Sequence, residues 1–328
     1  MTMGVVLSGD GAENFVDGAV RQARQAAEAG IAAGWLAQRS DYDALALAGL
    51  LGREVPGLQV GTSAVPVFGR HPVLVAGQAL TAQAATGNRL HLGLALGAKL
   101  LVEGTFGLAY ERPVAVLREF LTALRALLTT GTADFHGEFL TAAPSMPVAL
   151  PGAEPPPLLV AAMGPQALRA TGELADGTLP FLAGPRTLAG HIVPALTRAA
   201  EAAGRPAPRV VALVPAVVTE DVAAVRETAY EQLAFYEGIP SYRRVLDLEG
   251  AERAGELALV GDEETVAAGI RRYLDAGATE VVLSQTGLGG EAARLRTWRL
   301  LGELARERAG RNGTGQGGTG RDGAATAG

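Results

Sequence analysis

Four histidines, His71, His91, His136 and His191, and no cysteine are the chain's whole stock of imidazole and thiol groups. The histidines stand at no metal-ligand spacing, and without cysteine there is neither a disulfide nor a thiolate site. No Ser–His–Asp set and no closely spaced pair of carboxylates stands out, so neither nucleophilic nor paired-carboxylate catalysis is written here. Gln38, Arg70, His71, Lys99 and Glu103 fall at expected strand ends, and each taken singly reads as a loop or capping residue. His91, inside the alternating RLHLGL, reads as structural; His136 and His191 read as surface residues. One stretch has a definite physical capability. In LLVAAMGPQALRATGELADG, Leu158–Gly177, a short apolar strand stops at Met163-Gly164-Pro165 and passes straight into a helix with proline in its first turn. Such a junction presents unpaired N–H groups and the positive end of a helix dipole, an anion site that needs no basic side chain. An ordinary strand–helix turn is the plain alternative.

The elements that would position these groups alternate regularly. Strands are expected near Met3–Leu7, Ile31–Leu36, Leu58–Ala64, Arg89–Leu96, Leu158–Ala162, Gly177–Phe181, Arg209–Val218 and Thr279–Ser284. Helices lie between them, the first capped by Asn14, the second by Asp41, the third opened by Pro72, and one capped by Asp262. Eight strand–helix units in roughly 300 residues fit an α/β protein of the closed (β/α)8 barrel type, a TIM barrel. An open doubly wound sheet is the competitor, but the turn after its first strand would carry GxGxxG, and SGDGAENF does not. Spacing stretches after strand four, where VEGTFGLAYERP reads as a loop, and after strand seven, where Asp221–Gly250 reads as a helical insertion. The expected division is a barrel over residues 1–308 and a disordered, glycine-rich tail over 309–328.

Of the 328 residues, 48% are hydrophobic but only 5% aromatic, so alanine, leucine and valine must build the core. A formal charge of −6 without a basic block gives no support to nucleic-acid binding. No stretch reads as a membrane span and no secretory signal opens the sequence, so a cytoplasmic protein acting on a small molecule is expected. Many small, uncharged loop residues suit a protein that cradles a flat redox cofactor, which brings the reactive chemistry with it.

In order along the chain, AEAGIAAGWLAQ, VGTSAVPVFGRHPVLVAGQALTAQAATGNRLHLGLALG, YERPVAVLREFLTALRALL, FHGEFL, PPLLVAAMGPQALRATGELADG and VGDEETVAAGIRRYLDAGATEVVL resemble the bacterial luciferase-like superfamily. The likeness spans about residues 3–305 and is nearest to the actinobacterial oxidoreductases that use the deazaflavin coenzyme F420. The resemblance implies a (β/α)8 barrel with the cofactor ring in the mouth, near the ends of strands two to four, and hydride passing to or from its C5. It implies that Ala161, Ala162, Met163, Gly164 and Pro165 form the phosphate site. Ser63 and Ala64 match a non-proline cis peptide in a bulge behind the ring, Leu96 and Gly97 match its pyrimidine side, and Gln38 stands as a further cofactor contact. It also implies a homodimer, for which the apolar, small-residue stretches Ala44–Leu51 and Val73–Ala84 offer helix faces.

Two departures bear on the reaction. Sugar-phosphate dehydrogenases of this group carry Asp-His after strand two and a glutamate after strand four; here Gln38-Arg39 and Ala98 stand there. A sugar-phosphate reaction is therefore not expected, the substrate stays open, and no catalytic residue is assigned. The leading expectation is an F420-dependent oxidoreductase. Its alternatives are an FMN-dependent monooxygenase of the same fold, or a barrel whose cofactor site has decayed and which serves as a binding or structural subunit.

Overall fold

The apolar runs become short parallel strands that close on themselves: β1 (Met3–Val6), β2 (Ala33–Leu36), β3 (Gln59–Thr62), β4 (Leu90–Ala95), β5 (Leu158–Ala161), β6 (Gly177–Thr178), β7 (Arg209–Val218) and β8 (Glu280–Ser284). Closure is made where β1 pairs with β8, Met3 opposite Val281. The protein is a (β/α)8 barrel with added segments after β4 and β7, as the spacing predicts. This computed structural model describes residues 2–314, and the side chains of residues 2–308.

Around the barrel run α1 (Phe15–Glu28), α2 (Ala44–Glu54), α3 (Pro72–Thr86), α4 (Lys99–Phe106), α5 (Pro113–Thr130), α6 (Pro165–Leu174), α7 (Val193–Ala202), α8 (Val222–Glu237), α9 (Pro240–Glu249), α10 (Glu263–Asp275) and α11 (Gly290–Thr314). The expected tail thus begins inside the last turns of α11, and its remainder, from residue 315, lies outside the described residues. Caps set several starts. Asn14 accepts from the N–H of Val16 at 2.9 Å, and Asp262 from that of Thr265 at 2.9 Å. The α2 cap is Asp43, which accepts from Ala46 N–H at 2.9 Å, rather than Asp41, whose carboxylate is drawn to Arg39 instead.

Strand periodicity divides the barrel's inside from its outside. Ala33, Trp35, Leu159, Leu179, Val211, Leu213 and Val282 form the apolar cluster of the lumen, separate from the larger core between strands and helices. Trp35, 1% exposed, is the bulkiest of them. Glycines face it: a Cβ on Gly61 would lie 2.4 Å from the Trp35 ring, and one on Gly4 2.9 Å from its Nε1. Below this layer the strand starts carry charge. Arg209 donates from Nε to Glu280 at 2.7 Å and from Nη2 to Nδ1 of His91 at 2.9 Å. An acceptor Nδ1 keeps the imidazole neutral. Burial, with the Arg209 charge beside it, pushes the His91 pKa down to about 4.

Three elements depart from the sequence reading. Lys99–Phe106 is helix α4, not loop. The insertion after β7 is helical from Asp221 to Gly250 as expected, α8 and α9 meeting at Ile239-Pro240, but its return strand, Leu259–Gly261, which pairs with the far half of β7, has no counterpart in the sequence reading. His191 is half-buried in a π-helical turn, Leu188–Ile192, rather than at the surface; its Nε2 is enclosed without a partner among the described residues. The small-residue faces of α2 and α3 meet each other, with Gly49 against Ala82, leaving Leu50 and Leu74 exposed.

Candidate functional site

The register between β3 and β4 shows how the mouth is shaped. Gly61 stands opposite His91 and Val65 opposite Leu94, so the β3 side advances four residues while β4 advances three. The extra residue makes a bulge, and the Ser63–Ala64 peptide within it is cis. Thr62 anchors the bulge by donating its hydroxyl to Gly93 O at 2.8 Å and accepting from Gly93 N–H at 2.9 Å. In this setting Ser63 Oγ is buried and has no hydrogen-bond partner among the described residues.

Beside the bulge opens a cavity of about 1200 Å3, lined by the ends of β2, β3 and β4 and by α3 and α4. Ala64, Pro66, Ala95 and Gly97 give it a small-residue floor, and Phe68, Leu101, Phe106 and Leu108 an apolar wall. Gly97, at φ +75°, holds a conformation that favours glycine. Leu101, Phe106 and Leu108 remain 46, 46 and 40% exposed, an apolar surface left open among the described residues. Of the expected site residues, Gln38, Ala64 and Gly97 line this cavity, whereas Leu96 packs against the outer core. Ala161 pairs with Ala95 on the neighbouring strand, which sets Ala161–Pro165 beside the cavity rather than in its wall.

The β5–α6 junction has the expected form. Gly164 is the N-cap, Pro165 opens the helix, and no side chain caps it. Leu168 N–H is the first to close on the helix, to Gly164 O at 2.9 Å, which leaves the first-turn donors of Gln166 and Ala167 outward. A Cβ on Gly164 would meet nothing within 4 Å.

Polar side chains around the cavity are committed to one another. Gln38 donates to Arg39 O and Tyr42 O at 2.6 Å each, and accepts from Ala44 N–H at 3.1 Å and Arg70 at 3.2 Å. Arg39 is clamped between Asp10, at 2.6 Å, and Asp41, at 2.8 Å. The Ser8 hydroxyl and Arg39 hold the Asp10 carboxyl below its usual range. Asp43 is held low despite its burial by the Ala46 N–H and by Arg70, 2.8 Å away. Burial pushes the Tyr42 phenol up to about 12, so it stays protonated and donates to Ala37 O at 2.6 Å. His71 caps α3 through Nδ1 and donates from Nε2 to Thr141 O at 2.9 Å. Among the described residues no group of three or more His, Asp or Glu side chains could hold a metal ion, and no helix is long and apolar enough to cross a membrane.

Parts of this site were hidden from the sequence reading. The α4 wall lies inside a stretch whose composition reads as loop, although Lys99 and Glu103 stand at helical i,i+4 spacing, 3.7 Å apart, and Gly107 ends the helix. Arg70 and His71 were visible as strand-end residues, but their roles as a clamp on Asp43 and a cap on α3 were not.

A closed parallel barrel with its cavity at the carboxyl ends of the strands defines the class. The chain matches the luciferase-like monooxygenase family over residues 1–280 and belongs to it. It is 31% identical over 256 residues to the protein Rv1360 of Mycobacterium tuberculosis, covering 72% of this chain and 75% of that one. It is 28% identical to an F420-dependent glucose-6-phosphate dehydrogenase of Nakamurella multipartita, over 73% and 75% of the two chains. The F420-dependent tetrahydromethanopterin reductase of Methanopyrus kandleri superposes with a TM-score of 0.77, at 20% identity, over 92% of this chain and 97% of its own.

Proposed function

We propose that this protein is an F420-dependent oxidoreductase that moves a hydride between the deazaflavin and a small organic substrate. The observation that carries the reading is the junction of two features: a cavity of about 1200 Å3 with a small-residue floor, and beside it a helix N-terminus without a side-chain cap. The F420-dependent relatives named above support it. The residues present fit such a group. Ala64, Pro66, Ala95 and Gly97 leave room for a flat ring, Ser63 Oγ is a buried polar atom free to meet a ring heteroatom, and the donors at Met163, Gly164, Gln166 and Ala167 suit a phosphate. A bound deazaflavin supplies two-electron hydride chemistry at C5, the part no side chain here can perform.

This chain's own residues bind, orient and exclude water. Gln38 and Arg70 brace the β2 and β3 loops against each other through their mutual bond, which fixes the rim. Leu101, Phe106 and Leu108 keep one wall apolar. Gln38 and Arg39, both committed to neighbours, offer no proton donor where sugar-phosphate enzymes carry Asp-His, so a sugar phosphate is not the proposed substrate. A homodimer belongs to the same proposal, with exposed Leu50 and Leu74 as contact points on α2 and α3; light scattering at low micromolar concentration that returned only monomer would remove it.

A second reading, an FMN-dependent monooxygenase, is favoured by the chemistry in the family's description. Titration by fluorescence separates them. Micromolar or tighter binding of F420 and distinctly weaker binding of FMN is expected, and equal or tighter binding of FMN would transfer the proposal to the monooxygenase. Binding of neither would leave the decayed-site alternative standing.

A further inference from the structure

The lumen face of β8 reads Glu280, Val282, Ser284. Glu280 meets Arg209 at the floor and Val282 lies in the lumen cluster, so the strand's period of two puts Ser284 at the top of the same face. Ser284 is 4% exposed, and its Oγ has no hydrogen-bond partner among the described residues. The next residue, Gln285, at φ +49°, buries its Oε1 without a partner as well. Both neighbours are fixed. Leu283 is fully buried in the outer core, and Thr286 Oγ1 accepts from Trp298 Nε1 at 3.0 Å. Two unpaired polar atoms are therefore held on a rigid strand end, and leaving such atoms unpaired in a buried place is unfavourable without a partner from elsewhere.

Their surroundings narrow that partner. Pro215 of β7 lies opposite Ser284 and has no N–H to offer. Residues 213–218 and 282–290 contain no charged side chain. Leu213 and Phe181 supply an apolar wall, the latter packed edge-on against Tyr236 of the β7 insertion with ring centres 5.1 Å apart. In an eight-stranded ring β8 stands four strands from β4, on the far side of the mouth from the proposed cofactor wall.

We propose that Ser284 and Gln285 are the polar recognition pair for the substrate, a neutral molecule that presents an O–H or N–H donor from an apolar body. Gln285 Oε1 accepts from that donor, and the Ser284 hydroxyl turns to complete the pair. The assignment rests on the reading that the β2–β5 side holds the redox cofactor.

The test uses the full chain, with cyclohexanol as the probe and cyclohexyl methyl ether as the analogue lacking the donor, both followed by saturation-transfer NMR. F420 affinity and the thermal midpoint are measured in parallel. Wild-type protein is expected to prefer the alcohol, and Ser284→Ala and Gln285→Asn to weaken alcohol binding about tenfold and erase the preference. Asparagine is chosen because it tolerates the left-handed conformation. F420 affinity and the midpoint of Ser284→Ala are expected to stay unchanged. Equal alcohol binding by wild type and both variants, or no alcohol binding, overturns the proposal. So does a parallel fall in F420 affinity, which would put the pair in the cofactor cradle. A wild-type protein that ignores F420 yet keeps a Ser284-dependent alcohol preference would support the pair and count against the cofactor reading.

Discussion

The two ends of the barrel treat most of their polar groups differently. At the floor, Arg209, Glu280 and His91 are mutually bonded, and the Glu280 side chain is only 9% exposed, with Gln59 Oε1 at the start of β3 as an unpartnered exception. At the mouth, Ser63, Ser284 and Gln285 bury polar atoms with no partner among the described residues, and α6 begins without a side-chain cap. A folded chain keeps the first arrangement for stability; the second makes sense where something else completes the bonding. Substitutions at the floor should therefore move the unfolding equilibrium, and substitutions at the mouth should move ligand affinity.

The largest effect is expected for Arg209→Met. It leaves Glu280 buried without its cation, a change of roughly 3–5 kcal/mol in unfolding free energy. Denaturant titration checks it, and F420 affinity of the folded fraction should be unchanged. A loss below about 1 kcal/mol would mean that the floor relaxes and that the contrast is weaker than drawn.

Acid offers a second probe of the same end. The unfolded chain protonates His91 near its ordinary value of about 6.5, whereas the folded chain resists until about 4. The stabilisation is fully present above the higher value and is lost as pH falls toward the lower one. Up to about 3 kcal/mol should disappear across that window. His91→Gln should flatten the slope there, and an unaltered pH profile would show that other groups govern it.

Gly164→Asp is the sharpest test of the mouth. Aspartate is a favourable N-cap, so the thermal midpoint should hold or rise slightly. Its carboxylate would take the first-turn donors and repel a phosphate, weakening F420 binding roughly tenfold to a few hundredfold. Unchanged affinity in the folded variant would return the β5–α6 turn to an ordinary junction.

Ser63→Ala should have the smallest effect: stability within about 0.5 kcal/mol, because the hydroxyl has no partner among the described residues, and cofactor affinity lower by about fivefold. A marked loss of stability would break the contrast from the other side.

The barrel could be read from the sequence because strand and helix periods alternate eight times with capping residues at the joints. The strand–helix turn at Met163-Gly164-Pro165 could be read because glycine-proline between an apolar run and a helical pattern marks such a junction. Helix α4 could not, since Val102 is its single buried residue, Leu101 and Phe106 face a cavity rather than a core, and Leu100 faces outward. Gln38 was legible as a strand-end residue, but only three dimensions show its amide spent on Arg39, Tyr42, Ala44 and Arg70. Ser284 and Gln285 gave no signal, because the lack of a partner is a property of the folded state.

Trp35 and the glycines that face it carry a consequence for how such a chain drifts over generations. Gly61 cannot accept a methyl group while the indole lies where a Cβ would stand, 2.4 Å away; Gly4 is held by the indole and also by the Ala33 carbonyl, 2.9 Å from its Cβ position. Shrinking Trp35 alone would instead open a void beneath the mouth, at about 3–5 kcal/mol. Neither position is free to change first, yet a paired exchange could conserve the volume of the lumen. Related sequences should therefore vary these sites together or not at all, and an alignment in which a large residue at position 61 accompanies a small one at position 35 would record such an exchange.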